Sequence, residues 1–94
     1  MTSTKGQDGD FMYKTKAPDG KLNLCGTKVA KYRLAMVPAC SQRALADKLQ
    51  LLGLLVTKNT IQCIESGNRF VTDIELKALA QALGVTVGDL LADD

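Results

Sequence analysis

Two stretches of this chain, residues 41–49 (SQRALADKL) and residues 57–67 (TKNTIQCIESG), decide its fold. Each begins with a hydroxyl residue of the kind that caps helix N-termini, and the apolar residues that follow recur at helical spacing. A glycine follows each periodic run, as is common at helix C-termini. The pattern predicts helices over 41–52 and 57–66 joined by a short connector, which is the layout of a helix-turn-helix.

Upstream of this pair, the helical period continues back to residue 26. It predicts a first amphipathic helix over 26–36, whose inward side chains include Val29, Tyr32 and Leu34. Residues 1–23 are rich in Gly, Thr, Lys and Asp and carry a turn signal at 18–20 (PDG). We therefore expect residues 1–23 to form a flexible N-terminal arm, with a turn or hairpin around 18–20.

Downstream of the pair, two further helices are predicted. One is opened by Thr72 or Asp73 and closed by Gly84, and a short one over 87–92 is capped by Thr86. No run alternates apolar and polar residues as a strand does. The expected fold is an all-α domain of five helices over residues 24–94.

Composition restricts the class of protein further. The chain has 94 residues, of which 46% are hydrophobic and 4% aromatic, with no Trp. This length suits one domain with an aliphatic core. No apolar run approaches the roughly 20 residues of a membrane-spanning helix. Residues 1–23 lack the apolar stretch of a secretory signal, so we expect a cytoplasmic protein without a membrane partner.

The residue types needed for most catalysis are missing. The chain has no His, the usual general base and a common metal ligand. Its three cysteines, Cys25, Cys40 and Cys63, are far apart and lack the spacing of a zinc or redox motif. We interpret them as packing residues or incidental surface thiols. An enzyme, a metal site, a cofactor and a small-molecule substrate are therefore not expected.

Charge is distributed unevenly along the chain. Residues 26–70 hold seven Lys and Arg residues against two acidic residues, whereas residues 71–94 hold one Lys against five acidic residues. A basic middle and an acidic end indicate that the middle faces a polyanion and the end faces elsewhere. A solvated surface of mixed charge explains the same numbers equally well.

The outward face of the predicted helix 57–66 carries side chains suited to reading DNA. With Ile61 and Ile64 inward, the opposite side holds Asn59, Gln62, Cys63 and Ser66, and Lys58 lies on the flank. An amide bonds adenine through two hydrogen bonds, and Lys reaches guanine or a phosphate. An ordinary solvent face would more often carry Glu–Lys pairs.

Two helix starts are suited to phosphate. Ser41-Gln42 and Thr57-Lys58 open helices without a carboxylate in the first turn, so the free amide ends remain available to an anion. Asn68 and Arg69 follow the helix 57–66 and offer further phosphate contacts. Each start also has a plainer interpretation as a capped helix.

Together these stretches resemble the Cro/C1-type (XRE-like) helix-turn-helix transcriptional regulators. The resemblance covers roughly residues 26–91 and rests on three pieces in order: SQRALADKL at 41–49, TKNTIQCIESG at 57–67 and LKALAQALGV at 76–85. It implies a five-helix, lambda-repressor-like DNA-binding domain. It also implies that Gln42 bonds the DNA backbone or a base, and that Lys58, Asn59 and Cys63 face base edges.

The chain departs from the common family pattern at three places, one of which is a slightly long loop over 37–40. Extra residues between Leu49 and Thr57 replace a tight turn, as in a subgroup that also carries a Val-Thr-Asp segment like that at 71–73. We expect them to extend the second helix by a turn. Cys63 replaces a polar or basic reader, and a thiol offers either apolar contact to a thymine methyl group or no base readout at all.

The leading hypothesis is a sequence-specific regulator, acting as a repressor on double-stranded DNA. The expected base-reading residues are Lys58, Asn59, Gln62 and Cys63. The expected contacts to the DNA backbone are Ser41, Gln42, Arg43, Thr57, Thr60, Asn68 and Arg69. A homodimer through Val87, Leu90 and Leu91 is expected, because two-fold operators need two copies. The alternative is an antitoxin-like or adaptor protein-interaction module, favoured by the acidic end and by a Leu90-Leu91 pair taken as exposed.

Overall fold

The computed structural model describes Ala17 and residues 19–93, and within these ranges the chain is all-helical. We number the helices α1 (Gly26–Ala35), α2 (Gln42–Leu51), α3 (Lys58–Ser66), α4 (Asp73–Leu83) and α5 (Val87–Leu91). The predicted all-α class is confirmed for these residues, and each helix lies within two residues of its predicted position. Residues 1–16 of the predicted arm, with Pro18 and Asp94, lie outside the described residues.

Hydroxyl side chains fix the starts of α2 to α5. The Ser41 hydroxyl accepts a hydrogen bond from the Ala44 amide at 3.0 Å. Thr57, Thr72 and Thr86 cap the three later helices, each in a reciprocal capping box with the side chain three residues ahead. These caps satisfy amides that have no partner inside the helix. The predicted helix starts therefore follow from local chemistry.

Glycines mark where three helices end. Gly67 and Gly84 adopt left-handed conformations with φ of 80° and 71° directly after α3 and α4. Gly53, with φ of 94°, turns the chain just beyond α2. A side chain with a Cβ is strained at such angles, which explains why glycine stands there. Residues 54–57 then run without helical structure to the start of α3.

An aliphatic core holds the helices together. The largest fully buried side chains include Leu45, Leu49, Ile61, Ile64 and Leu79. On α1 the inward face differs from the expected one, because Leu34 is 60% exposed while Arg33 is 9% exposed. Arg33 turns inward because its guanidinium finds charged and carbonyl partners there. Val29 is buried as predicted, and Tyr32 packs at the edge of the core.

The last residues of the predicted arm are part of the helical domain. The Asn23 side-chain amide donates to the carbonyl oxygens of Ile64 (3.1 Å) and Arg69 (2.8 Å), and its oxygen accepts from the Gly26 amide at 2.8 Å. The Leu22 amide donates to Gly67 O at 2.9 Å. The ordered domain therefore begins before residue 24. At the predicted turn, the Gly20 amide donates to Ala17 O at 2.8 Å.

Candidate nucleic-acid interface

The structure places all four expected base-reading residues on the outside of α3. Ile61 and Ile64 are 0% and 1% exposed and face the core. The opposite face is solvent-exposed and carries Asn59, Gln62 and Cys63, and Lys58 is exposed on its flank. The first turn of α3 has no acidic residue. This face is therefore polar, has one cation at its N-terminal end and is free of carboxylates.

The one carboxylate of α3 is turned away from that face. Glu65 accepts from Arg33 Nε at 2.7 Å and from a second guanidinium nitrogen of Arg33 at 2.9 Å. The Arg33 and Glu65 side chains are only 10% and 9% exposed. Hydrogen bonding to Glu65 raises the pKa of Arg33, so the guanidinium keeps its charge. Glu65 therefore bonds a basic group inside the fold.

The same carboxylate also holds Gln42, a link that sequence reasoning missed. Gln42 Nε2 donates to Glu65 Oε1 at 2.9 Å. Gln42 is the first residue of α2, so the bond joins the start of α2 to the last turn of α3. Gln42 was expected to contact DNA. Its amide keeps one N–H and its carbonyl oxygen for such a contact, because only one N–H is used by Glu65.

The same network reaches the loop before α2. Arg33 donates a further hydrogen bond to Cys40 O at 2.9 Å. Arg33 therefore ties α1 both to α3 and to the residue that precedes the Ser41 cap. Charge-assisted bonds, which are stronger than neutral ones, therefore hold the start of α2 against the last turn of α3.

The remaining backbone candidates near the helix starts are accessible but partly engaged. Ser41, Arg43 and Thr57 are exposed, and Thr60 is half-buried. The Thr60 hydroxyl accepts from the Thr57 amide at 3.1 Å, so both threonines serve the cap of α3. Arg43 and Lys58 both line a shallow groove of about 380 Å³ between α2 and the start of α3.

Beyond α3, Asn68 is exposed as predicted, but Arg69 is not a free cation. Its guanidinium donates to Glu75 Oε2 at 3.2 Å, and its side chain is 35% exposed. A second guanidinium nitrogen, Nη1, is buried without a hydrogen-bond partner. The expected phosphate contact of Arg69 must therefore compete with Glu75, which lies in the first turn of α4.

The Glu75 carboxylate is stabilised in its charged form. Burial acts to raise its pKa, but hydrogen bonds from the Thr72 amide and from Arg69 outweigh burial and lower it. Glu75 thus serves both as the partner of Arg69 and as the capping-box residue of α4. The sequence alone did not indicate this pairing.

The predicted dimer contacts need a correction at Leu90. Leu90 is 0% exposed and belongs to the core of its own chain, so it is not available to a second copy. It is buried because α5 packs on α1 and α4. Leu91 is 42% exposed and Val87 is partly buried. The exposed Leu90-Leu91 pair that favoured the protein-interaction alternative is therefore a single exposed leucine.

The connector between α2 and α3 exposes apolar side chains that the sequence analysis treated only as a linker. In the connector Leu55 is 101% exposed, whereas Val56 is buried at 4%; Leu51, the last residue of α2, is 88% exposed. A second groove of about 380 Å³, lined by Leu55, Asn59, Cys63 and Arg69 among others, runs beside the outward face of α3. The extra residues of the connector thus contribute to the surface that surrounds α3.

Within the described part of the chain, no cluster of three or more potential metal ligands occurs. Cys25 and Cys40 are buried, and Cys63 is exposed. No helix among the described residues is long and apolar enough to cross a lipid bilayer. Comparison with protein-family models, with curated proteins and with solved structures finds no match for this chain.

Proposed function

We propose that this chain is a sequence-specific, double-stranded-DNA-binding transcriptional regulator that acts as a repressor and inserts α3 into the major groove. The observation that carries the proposal is the outward face of α3. Apart from the Cys63 thiol, its exposed residues are polar or cationic, and the only carboxylate of the helix is held inward by Arg33. A face without free carboxylates can approach a polyanion without charge repulsion.

The side chains on this face have the hydrogen-bonding groups that base edges require. Asn59 and Gln62 each carry an amide that matches the N6 and N7 atoms of adenine, and Lys58 matches guanine or a phosphate. Short, exposed helices without intrahelical ion pairs gain little stability from such residues. Their presence is therefore better accounted for by an external partner.

The charge of residues 26–70 and the N-termini of α2 and α3 also favour DNA as the partner. Residues 26–70 carry seven basic against two acidic residues. With the Arg33–Glu65 pair set aside, six basic residues remain against one acidic residue, and one of the six, Arg69, is paired with Glu75. The first turns of α2 and α3 contain no acidic residue, so their amide ends remain favourable to phosphate. In this proposal Ser41, Gln42, Arg43 and Thr57 approach the DNA backbone beside these ends.

The finer parts of the proposal are a lambda-repressor-like arrangement of the helices, membership of the Cro/C1-type regulators and a homodimer. The order of the helices and the resemblance of residues 26–91 support the first two. Dimerisation follows from the small surface that one such domain offers to DNA. Val87 and Leu91 are the remaining C-terminal candidates for the dimer contact.

Selection of bound sequences from a random duplex library tests the proposal directly. A regulator should enrich one motif, and a dimer should enrich a two-fold motif with fixed half-site spacing. Affinity for that motif, measured by fluorescence anisotropy, should fall steeply as salt rises, because each neutralised phosphate releases counterions. The absence of any enriched motif, with equally weak binding to all duplexes, would overturn the proposal.

Single substitutions distinguish residues that contact specific bases from residues that attract DNA of any sequence. Asn59→Ala and Lys58→Ala should each reduce discrimination between duplexes by about 1–3 kcal/mol, because each removes a side chain that bonds a base edge. Gln42→Ala should instead weaken binding to all duplexes more evenly. Gln81→Ala, on the exposed side of α4, is the matched control and should leave binding unchanged. Capture of a stable protein partner without any DNA binding would instead favour the interaction-module alternative.

A further inference from the structure

Leu55 is a fully exposed leucine that lies beside the proposed reading face. Its side chain is 101% exposed, yet it lines the same groove of about 380 Å³ as Asn59 and Cys63. Water is an unfavourable environment for a side chain of this kind. Burial of Leu55 against an apolar group of a partner that also contacts Asn59 would therefore contribute favourably to binding.

The walls of this groove combine an amide with apolar groups. Asn59 supplies an exposed donor and acceptor, while Leu55 and the Cys63 thiol supply apolar surface. The acidic residue of the groove, Glu75, is already paired with Arg69. In the major groove of DNA, an amide matches adenine, and the C5 methyl group of thymine is the apolar group on a base edge. The lining therefore matches A·T base pairs.

We propose that Leu55 is a specificity-determining residue that contacts the C5 methyl group of a thymine next to the base pair read by Asn59. This inference rests on the proposed function. A duplex is favoured over an apolar protein surface because the groove borders the face of α3 that carries Lys58 and no free carboxylate, and the carboxylate inside the groove, Glu75, is paired with Arg69.

Replacement of thymine by uracil removes only the methyl group and so provides the test. Each thymine of the selected motif is replaced in turn, and binding to the full chain is measured by fluorescence anisotropy. At one position, we expect uracil to lower the affinity of the wild-type protein for the duplex by about threefold to fivefold, which corresponds to the loss of one buried methyl group. The same replacement should leave binding by Leu55→Ala nearly unchanged.

Two further variants keep the result specific to this contact. Leu55→Met retains an apolar side chain and should retain the preference for thymine over uracil. Leu51→Ala removes another exposed leucine, which does not line the groove, and should behave like the wild-type protein. Light scattering on Leu55→Ala checks that its oligomeric state is unchanged.

The inference and the proposed function fail in different ways. If a motif is selected but uracil weakens wild-type and Leu55→Ala proteins equally at every position, Leu55 does not read thymine and the proposed function stands. If Leu55→Ala changes the oligomeric state and not the thymine preference, the groove binds a second copy and the inference is overturned. If no motif is selected, both are overturned.

Discussion

Arg33 on α1 and Glu65 on α3 form a two-bond ion pair with nitrogen–oxygen distances of 2.7 and 2.9 Å. Both side chains are almost completely shielded from solvent. The pair extends to Gln42 on α2 and to the carbonyl group of Cys40. One carboxylate thus connects three helices, and it also leaves the outward face of α3 without negative charge.

Loss of the Glu65 charge should destabilise the fold. In Glu65→Gln the buried guanidinium of Arg33 lacks its counter-charge, and removal of one partner of a buried pair costs about 3 kcal/mol. Urea denaturation followed by circular dichroism measures the change. Asp47→Asn, at an exposed position on α2, is the control and should change stability by less than about 0.5 kcal/mol. Equal stability of Glu65→Gln and wild type would contradict this role of the pair.

A methyl group at Gly26 should separate α1 from α3. A Cβ atom built on Gly26 collides with the carbonyl oxygen of Ile64, which belongs to the backbone and cannot move alone. We expect Gly26→Ala to cost about 2 kcal/mol or more of unfolding free energy. Gly88→Ala is the matched control, because its Cβ meets only Thr86 Oγ1 at 3.5 Å. A thermal scan in which Gly26→Ala melts no earlier than Gly88→Ala would exclude the close approach.

Stability should depend on pH through Glu75. Its pKa is lowered in the folded chain, so its stabilising contribution is present above the pKa of the unfolded chain and is lost as pH falls through the folded value. Glu75→Gln should therefore be less stable than wild type at neutral pH, and the difference should shrink on acidification to about pH 3. Thermal unfolding across this range measures the effect. A difference that stays constant with pH would show that the Glu75 charge does not contribute.

The two C-terminal leucines should behave differently. Leu90→Ala empties a fully buried position and should cost about 2–5 kcal/mol. Leu91→Ala removes a side chain that is 42% exposed and should cost far less. Chemical denaturation gives the first comparison. Similar losses of stability for both variants would contradict the assigned burial. If Leu91 is a dimer contact, light scattering should show a weaker dimer for Leu91→Ala than for the wild-type protein at equal protein concentration.

The cysteines should differ in reactivity with a thiol reagent. Cys63 is exposed, whereas Cys25 and Cys40 are buried. Burial also raises the pKa of Cys25, which reduces its reactive thiolate form. One thiol per chain should react rapidly in the native protein and all three after denaturation. Cys63→Ser should abolish the rapid phase, and a rapid phase that persists would place another thiol at the surface.

Local signals in the sequence were sufficient for the helices. Ser41 and Thr57 indicate helix starts, and Gly67 and Gly84 indicate helix ends, because caps depend on residues only a few positions apart. The exposed face of α3 was also predictable, since its two isoleucines fix which side is buried. These features need no knowledge of how distant segments meet.

Side-chain pairings between distant segments could not be predicted from the sequence. From the sequence alone, Arg33 is expected at the surface, and only the fold shows that it pairs with Glu65 of another helix. In the same way, only the fold shows that Arg69 pairs with Glu75. Leu90 was misplaced because α5 has only five residues, which is too short for helical periodicity to define an inward face. One sequence alone gives little information about such pairings, because the pairings depend on tertiary packing.

The hydrogen bonds of Asn23 limit how far this protein can be truncated from its N-terminal side. Its side-chain amide is bonded to main-chain partners from the start of α1 and from the end of α3 and the residues after it. A shortened chain that starts at residue 26, where helical structure begins, would lack these bonds and leave two carbonyl groups without this partner. We therefore expect a stable shortened chain to retain Asn23, together with Leu22, whose amide bonds Gly67 O, and Lys21, whose side chain lies against Gly67.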